Sequence, residues 1–144
     1  MSIEMKGAAK GALLGGVAAG VLCVVLYFIG AAMGADFKPK DPAMMGGMQV
    51  LPPFQPMINC LIAAVVSIGL LALLDKVASS KAWTIYLGVA ALVFIGEIFA
   101  PFWAFADMKT IVVLELMHFP AAIGVVFGIY RFGISKAAGA TLPA

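Results

Sequence analysis

Long apolar stretches alternate with short polar segments along the chain, and their lengths predict the elements of the fold. Four stretches are nearly free of charged residues: residues 11–35, 42–74, 82–106 and 110–130. The first two hold no charged residue, the third holds only Glu97, and the fourth is interrupted only by Glu115 and His118. About 20 apolar residues suffice for one helical crossing of a bilayer. Because the stretches are continuous rather than alternating, they predict four transmembrane helices and not strands.

The ends of these helices follow from proline, glycine and charge. The predicted helices cover approximately residues 9–34, 55–75, 82–105 and 109–131. A long segment between helices 1 and 2 is rich in proline, glycine and methionine, which predicts an irregular loop, and helix 2 begins beside Pro56. Residues 1–144 are therefore expected to form one domain, an all-α transmembrane bundle of four helices. The small-residue tail, residues 136–144, is expected to be flexible.

Cationic residues indicate how the bundle is oriented in the membrane. One side carries six of the nine: Lys6, Lys10, Lys76, Lys81, Arg131 and Lys136. The other side carries the remaining three: Lys38, Lys40 and Lys109. Cytoplasmic loops carry an excess of lysine and arginine. Both termini are therefore expected in the cytoplasm and the long loop outside, with the bundle in a plasma membrane.

Composition supports this class of protein. Of the 144 residues, 64% are hydrophobic and 11% are charged, and the mean hydropathy is +1.11. Soluble domains carry roughly 25% charged residues, so a soluble globule is excluded and the lipid bilayer is the expected surrounding. A net charge of +2 without a basic cluster argues against nucleic acid as a partner. Cys23 and Cys60 lie in apolar stretches, which predicts small buried side chains rather than a disulfide framework.

Ionisable side chains inside the last two helices predict a polar site. Glu97 lies ten residues before Asp107, the predicted tip of the last hairpin, and Glu115 and His118 lie eight and eleven residues after it. At about 1.5 Å per residue these positions lie roughly 15, 12 and 16 Å below the outer turn. Glu115 and His118 also share one helical face. A charged residue in hydrocarbon costs roughly 2.5–3.5 kcal/mol, so we expect the three side chains to meet in one buried layer.

Other polar groups are expected at the same depth. Tyr27 of helix 1 and Asn59 of helix 2 are placed there by their positions along the helices. Pro101 and Pro120 lack an N–H, so each deprives the carbonyl four residues earlier of its helical partner. Interrupted helices beside intramembrane carboxylates occur where ions or small ligands bind. The prediction is a hydrated pocket that opens toward the outer face.

Three interpretations of these residues remain open. Hydrogen bonds from a glutamate to another polar side chain can simply hold the helices together. The same residues can bind or relay a proton, a cation or a small polar ligand. A metal centre is the third interpretation, because Glu115 and His118 have the Glu-x-x-His spacing of di-iron bundles and with Glu97 are candidates for a three-ligand set. A di-iron site needs a symmetric dimer to supply its remaining ligands.

Small residues predict close helix packing. Seven glycines in helices 1 and 4 have suitable positions: Gly7, Gly11, Gly15, Gly16, Gly20, Gly124 and Gly128. Small residues at four-residue spacing let helix backbones approach closely in a membrane. One interpretation is packing of helix 1 against helix 4 within the bundle. The other is a homo-oligomer interface, which the number of glycines in helix 1 favours.

Three short segments carry a family resemblance: residues 24–37, residues 51–56 (LPPFQP) and residues 114–119 (LELMHF). They resemble a bacterial family of small four-span membrane proteins that is known only as a domain of unknown function. The resemblance extends roughly from helix 1 to Arg131. It implies the four-span fold, draws attention to Tyr27, Asn59 and His118, and supplies no activity.

These observations together predict a small, non-enzymatic integral membrane protein, organised as a homo-oligomer or within a larger membrane complex. In this interpretation Glu97, Glu115 and His118 bind or relay a proton, a cation or a small polar ligand. One alternative is a structural or accessory subunit of a larger membrane complex. Another is a metal- or quinone-dependent membrane oxidoreductase. The sequence contains no phosphate-binding, Cys-x-x-Cys or serine-nucleophile motif, and it requires no cofactor.

Overall fold

The computed structural model describes residues 3–134 and contains four long helices. They are α1 (Met5–Ala32), α2 (Gln55–Ala78), α3 (Ala82–Ala104) and α4 (Met108–Ile129). Each is long and apolar enough to cross a membrane, so the predicted all-α, four-span fold is confirmed. A π-helical turn, Tyr130–Ile134, continues α4, and a 3₁₀ turn, Pro42–Met45, lies between α1 and α2. Within residues 3–134 there is no strand, only an isolated β-bridge between Pro39 and Phe105.

The helices differ from their predicted bounds mainly at two ends. α1 begins at Met5 rather than near residue 9, and α2 continues to Ala78, three residues beyond its predicted end. Charged residues such as Lys6 limit the apolar stretch but not the helix, because a long cationic side chain can extend to the membrane surface. Residues 136–144, the tail predicted to be flexible, lie outside the described residues.

Both ends of the described chain lie at one end of the bundle, which we call the terminal end. There the amide of Glu4 donates a 3.0 Å hydrogen bond to the carbonyl of Gly133. The opposite end, which we call the loop end, carries the long loop between α1 and α2 and the turn between α3 and α4. Because the chain crosses the bundle four times, an even number, it returns to the end at which α1 begins. The cytoplasmic location of the terminal end rests on charge distribution alone and stays a prediction.

Glycines hold α1 close to α4, its main partner in the bundle. A Cβ added to Gly11 would overlap the carbonyl of Gly128, and a Cβ added to Gly15 would overlap the carbonyl of Gly124. At the terminal end Gly7 lies equally close to the backbone of residue 132. Such close approach gains van der Waals contact, which is the main source of helix association where lipid already covers apolar surfaces.

A second glycine face of α1 packs against α2. Gly16 lies against Ala64, and Gly20 lies against Met57. All seven predicted packing glycines therefore make contacts within one chain. α1 has more glycines than one contact requires because it serves two neighbours, and this removes the argument that linked them to a homo-oligomer. Self-association itself stays a prediction.

The loop between α1 and α2 folds onto the loop end of the bundle. The hydroxyl of Tyr27 donates a 2.7 Å hydrogen bond to the carbonyl of Leu51, and the Tyr27 ring stacks on Phe37 with 4.0 Å between centroids. Phe37 has a φ of 51°, a left-handed conformation that is uncommon for a bulky residue. Its amide donates to the Thr110 hydroxyl at 3.0 Å, and its carbonyl accepts from the Leu51 amide at 2.9 Å. These contacts attach the loop to both α1 and α4.

Asp107 caps α4 and joins the α3–α4 turn to the rest of the loop end. Its carboxylate accepts hydrogen bonds from the Thr110 hydroxyl at 2.7 Å and the Thr110 amide at 2.9 Å. These bonds hold the pKa of Asp107 below its ordinary value, because they stabilise the charged carboxylate. Lys109 donates from Nζ to the carbonyl of Met33 at 3.1 Å, beside the last turn of α1. The turn that carries the last two helices is thereby fixed against α1.

Candidate intramembrane polar site

An acidic side chain and an imidazole meet between α3 and α4. Nε2 of His118 lies 3.5 Å from Oε2 of Glu97, close enough for an ion pair when the imidazole is protonated. Glu97 lies seven residues before the end of α3 at Ala104, and His118 lies ten residues after the start of α4 at Met108. At about 1.5 Å per residue these separations are roughly 11 and 15 Å. The contact therefore lies well inside the predicted spans rather than in the turn.

Aromatic packing and two prolines surround this contact. The rings of Phe94 and Phe119 meet edge to face with 5.4 Å between centroids, one turn from Glu97 on α3 and beside His118 on α4. Pro101 and Pro120 both lie inside their helices. Since proline has no N–H, the carbonyls four residues earlier, including that of Glu97, receive no helical amide. The site therefore combines polar side chains with backbone carbonyls that receive no helical hydrogen bond.

Glu115 lies one turn before His118 on α4. Within residues 3–134, Glu115 Oε1 and His118 Nδ1 are two of three side-chain polar atoms that are buried without a hydrogen-bond partner. A buried polar atom left unpaired costs about 1–3 kcal/mol, so each such atom needs a physical explanation. Their location on a single helical turn makes this part of α4 the best-supported site in the described chain.

The site is open on the side of α3. The side chain of Glu97 is 55% exposed, whereas that of His118 is 23% exposed. The expectation that all three side chains meet in one buried layer is therefore wrong for Glu97. The reason is that α3 has the smallest buried share of the four helices and packs against α2 and α4, so no other element among residues 3–134 covers its outer face.

Two other predicted site residues make their contacts elsewhere. The Tyr27 hydroxyl is bonded to the carbonyl of Leu51. Asn59 is exposed, and its Oδ1 accepts a 3.0 Å hydrogen bond from Nε2 of Gln55, one turn earlier in α2. The depth of a residue can be counted along the sequence, but the rotation of its helix cannot, and rotation decides which neighbour each side chain meets.

The candidate metal ligands do not assemble into a donor set within one chain. No three His, Cys, Asp or Glu side chains among the described residues are grouped closely enough to hold a metal ion. Glu97 and His118 supply two ligands at most, and three are the usual minimum for a protein metal centre. The metal interpretation of Glu97, Glu115 and His118 therefore stays a prediction that needs donors from outside the described chain.

One contact between α1 and α2 was not predicted from the sequence. Sγ of Cys23 lies 4.0 Å from Sγ of Cys60, and both thiols are free and buried. Cys23 also donates from Sγ to the carbonyl of Met117 at 3.4 Å. Both cysteines were correctly expected to be buried. Their proximity could not be predicted from sequence, because the long loop leaves the register of α1 against α2 undetermined.

The four apolar helices and the polar contact between the last two define the class: a small polytopic α-helical membrane protein. Residues 4–133 match DUF6069, a family of unknown function. Because the match covers most of the chain, the protein belongs to this family, and the resemblance to an uncharacterised family of small four-span proteins is confirmed. Neither a curated protein nor a solved structure matches the chain. The family's description assigns no activity, so a function must be argued from the site.

Proposed function

We propose that this protein binds and relays protons within the membrane through Glu97, His118 and Glu115. The observation that carries the proposal is the 3.5 Å contact between Glu97 Oε2 and His118 Nε2 at span depth. Ionisable residues inside transmembrane spans are rare, and they commonly mark proton or ion pathways. The protein is proposed to be non-enzymatic and to need no cofactor.

The chemistry of imidazole suits a relay. Its two ring nitrogens are distinct, so the ring can accept a proton on one and release a proton from the other. Protonated Glu97 would donate to Nε2 of His118, leaving a carboxylate beside an imidazolium. Loss of the proton from Nδ1 restores the neutral ring, and Glu115 Oε1 is a buried acceptor on the same turn. Exposure decreases from the Glu97 side chain, which is 55% exposed, to Glu115 Oε1, which is buried. This order supports entry of protons at α3.

A proton is favoured over a metal ion or a larger ligand. A metal ion needs a grouped set of donors, which the described residues do not supply. A proton needs only pairs of groups that exchange it over a hydrogen-bond distance, directly or through one water. The proposal assigns these pairs to Glu97 with His118, whose nearest atoms lie 3.5 Å apart, and to His118 with Glu115, one helical turn away on α4.

The exposure of Glu97 supports assembly with a neighbour. A carboxylate facing hydrocarbon is unfavourable, and such residues normally face a bundle interior or a water-filled cavity. We therefore include in the proposal a homo-oligomer, or a larger membrane complex, whose interface covers this face of α3. The proposed location is a plasma membrane of the bacterial inner-membrane type, with the terminal end in the cytoplasm.

Proton flux into sealed vesicles tests the proposal. The purified chain is reconstituted around a trapped pH-sensitive dye, a pH gradient is imposed, and a potassium ionophore removes the opposing membrane potential. We expect flux in the parent protein that Glu97→Gln, His118→Gln and Glu115→Gln each reduce at least about tenfold, equivalent to about 1.4 kcal/mol in the barrier. Asp75→Asn is the matched control, because it neutralises a carboxylate at the far end of α2 and should leave the flux unchanged.

Parent vesicles that take up protons no faster than protein-free vesicles would overturn the proposal. So would variants that keep the parent flux. Thermal unfolding of each variant in detergent shows whether a loss of flux reflects the site or a damaged fold. A relay requires lost flux with a retained fold.

A structural or accessory subunit is the second candidate, and the packing of α3 favours it. α3 has the smallest buried share of the helices, and the Glu97–His118 contact and the Phe94–Phe119 ring contact are among those that attach it to α4. In this case the same three substitutions lower thermal stability, while the parent protein has no flux. The two candidates therefore differ in both measurements.

A further inference from the structure

Two cysteines from different helices lie in contact inside the bundle. Cys23 of α1 and Cys60 of α2 are 37 residues apart in sequence, yet their sulfur atoms are 4.0 Å apart. Their exposed fractions are 1% and 3%, and neither forms a disulfide. They are the only cysteines of the chain, and the proton relay proposed above uses neither.

The packing of the two helices holds this pair in place. Gly16 and Gly20 of α1 lie against Ala64 and Met57 of α2, on either side of Cys60 in sequence, so the helices are in close contact where the thiols meet. The pair belongs to the core cluster at the loop end, which also contains Tyr27, Phe37, Leu51 and Met117. A thiol pair held by rigid helices keeps its separation without any covalent bond.

We propose that Cys23 and Cys60 form a modification site, a dithiol that a hydroperoxide oxidises to an intramolecular disulfide joining α1 to α2. A disulfide requires a sulfur separation of about 2.05 Å. Closing the gap from 4.0 Å requires the two sulfur atoms to approach by about 2 Å, and the proposal assigns this movement to rotation of the two cysteine side chains.

The oxidation proceeds in two balanced steps. One thiol loses its proton and attacks a peroxide oxygen; the O–O bond breaks, an S–O bond forms, and the departing hydroxide takes up the proton as water. The second sulfur then attacks this sulfenic acid; the S–S bond forms, the S–O bond breaks, and a second water leaves with the second proton. The dithiol loses two electrons and two protons, and one molecule of hydrogen peroxide becomes two of water.

Burial of the two thiols restricts the oxidant to a small uncharged molecule, and it is compatible with an uncharged disulfide as the product. Thiols that are 1% and 3% exposed are closed to a protein oxidant, which must bring its own sulfur into contact, but hydrogen peroxide is nearly as small as water and carries no charge. The disulfide is also uncharged, so it remains compatible with the apolar core, unlike sulfinic or sulfonic acids. An adjacent resolving cysteine diverts the sulfenic acid to the disulfide before further oxidation.

Peroxide titration of the reduced full-length protein tests the proposal. The protein is treated in detergent or nanodiscs, unfolded with an alkylating agent, digested and analysed by mass spectrometry. We expect both thiols to be lost together, with one peroxide consumed per chain and a linked peptide pair containing Cys23 and Cys60. In Cys60→Ser we expect the linked peptide to disappear and a sulfenic acid at Cys23 to be trapped by a 1,3-diketone reagent.

The double variant Cys60→Ala/Ile62→Cys is the matched control. It keeps two thiols but moves one to the lipid-facing side of α2, since Ile62 is 55% exposed, and it should form no disulfide within the chain. Wild-type thiols that resist peroxide, that oxidise separately to sulfinic acids, or that link only between chains would overturn the proposal. A disulfide within the control variant would overturn it as well, because the native spacing would then have no special role.

Discussion

The Tyr27 hydroxyl donates a 2.7 Å hydrogen bond to the carbonyl of Leu51, so a residue in the last turns of α1 anchors the loop that precedes α2. Stacking of the same ring on Phe37 adds a second point of attachment. Tyr27 therefore has a structural partner of its own at the loop end. This contact explains why an apolar helix carries a tyrosine near its end without that tyrosine serving the Glu97–His118 contact.

Tyr27→Phe should loosen the loop while keeping the stacked rings. The substitution leaves the buried Leu51 carbonyl without its donor, which costs about 1–3 kcal/mol. We expect a lower midpoint of thermal unfolding and faster proteolysis in the loop that contains Lys40. Tyr130→Phe is the control, because Tyr130 is 46% exposed and should change neither measurement. Equal behaviour of the two variants would contradict the anchoring role.

Asp107 should make stability depend on pH in the acid range. Its folded-state pKa is lowered, first by the Thr110 hydroxyl and then by the Thr110 amide. A lowered carboxyl pKa contributes stability that is fully present above the ordinary aspartate value and is lost as the pH falls through the folded value. We expect the unfolding midpoint to drop as the pH falls below the ordinary aspartate value of about 3.9, and this drop to shrink in Asp107→Ala. Asp75→Asn should retain the full drop, and an equal drop in Asp107→Ala would exclude this origin.

Glycine-to-alanine substitutions should affect stability differently on the packed face of α1 and on an open face of α3. Gly11→Ala places a Cβ against the Gly128 carbonyl, whereas Gly96 has nothing within 4 Å of an added Cβ. Overpacking against backbone costs typically 1–3 kcal/mol, while alanine is favoured over glycine inside a helix by about 1 kcal/mol. Unfolding in detergent should therefore show a lower midpoint for Gly11→Ala and an unchanged or higher midpoint for Gly96→Ala. Tolerance of Gly11→Ala would mean that the close α1–α4 contact is absent in solution.

Sequence reasoning predicted that Glu97 and His118 lie at one depth, because a short turn fixes the register of α3 and α4. Glu97 and His118 lie ten residues before and eleven after Asp107, and in an antiparallel hairpin with a tight turn such residues must lie at similar depth. The structure places their side chains 3.5 Å apart. The number of helices followed from apolar length, because a bilayer crossing requires a minimum number of residues, and their approximate bounds followed from proline, glycine and charge.

The same reasoning did not work across the long loop between α1 and α2. Neither the Cys23–Cys60 contact nor the partners of Tyr27 could be predicted from sequence, since that loop leaves helix register and rotation undetermined. The glycine pattern showed that α1 packs closely, but its two faces look alike in sequence and only the structure assigns them to α4 and α2. The exposure of Glu97 was also beyond reach, because it depends on how loosely α3 attaches to the bundle.

A double-mutant cycle on Glu97 and His118 measures what their contact contributes to stability. Unfolding free energies are compared for Glu97→Gln, His118→Gln, the double variant and the parent, under conditions where unfolding in detergent is reversible. Interhelical polar contacts in membranes couple by about 0.6 kcal/mol on average, and the 55% exposure of Glu97 places this pair near or below that value. We expect a small favourable coupling between the two side chains. Glu97→Gln combined with Phe94→Leu is the control cycle, because Phe94 meets Phe119 rather than the imidazole and should give no coupling. A coupling of zero between Glu97 and His118 would show that the two side chains do not interact in the folded protein, and it would remove the contact on which the proton relay depends.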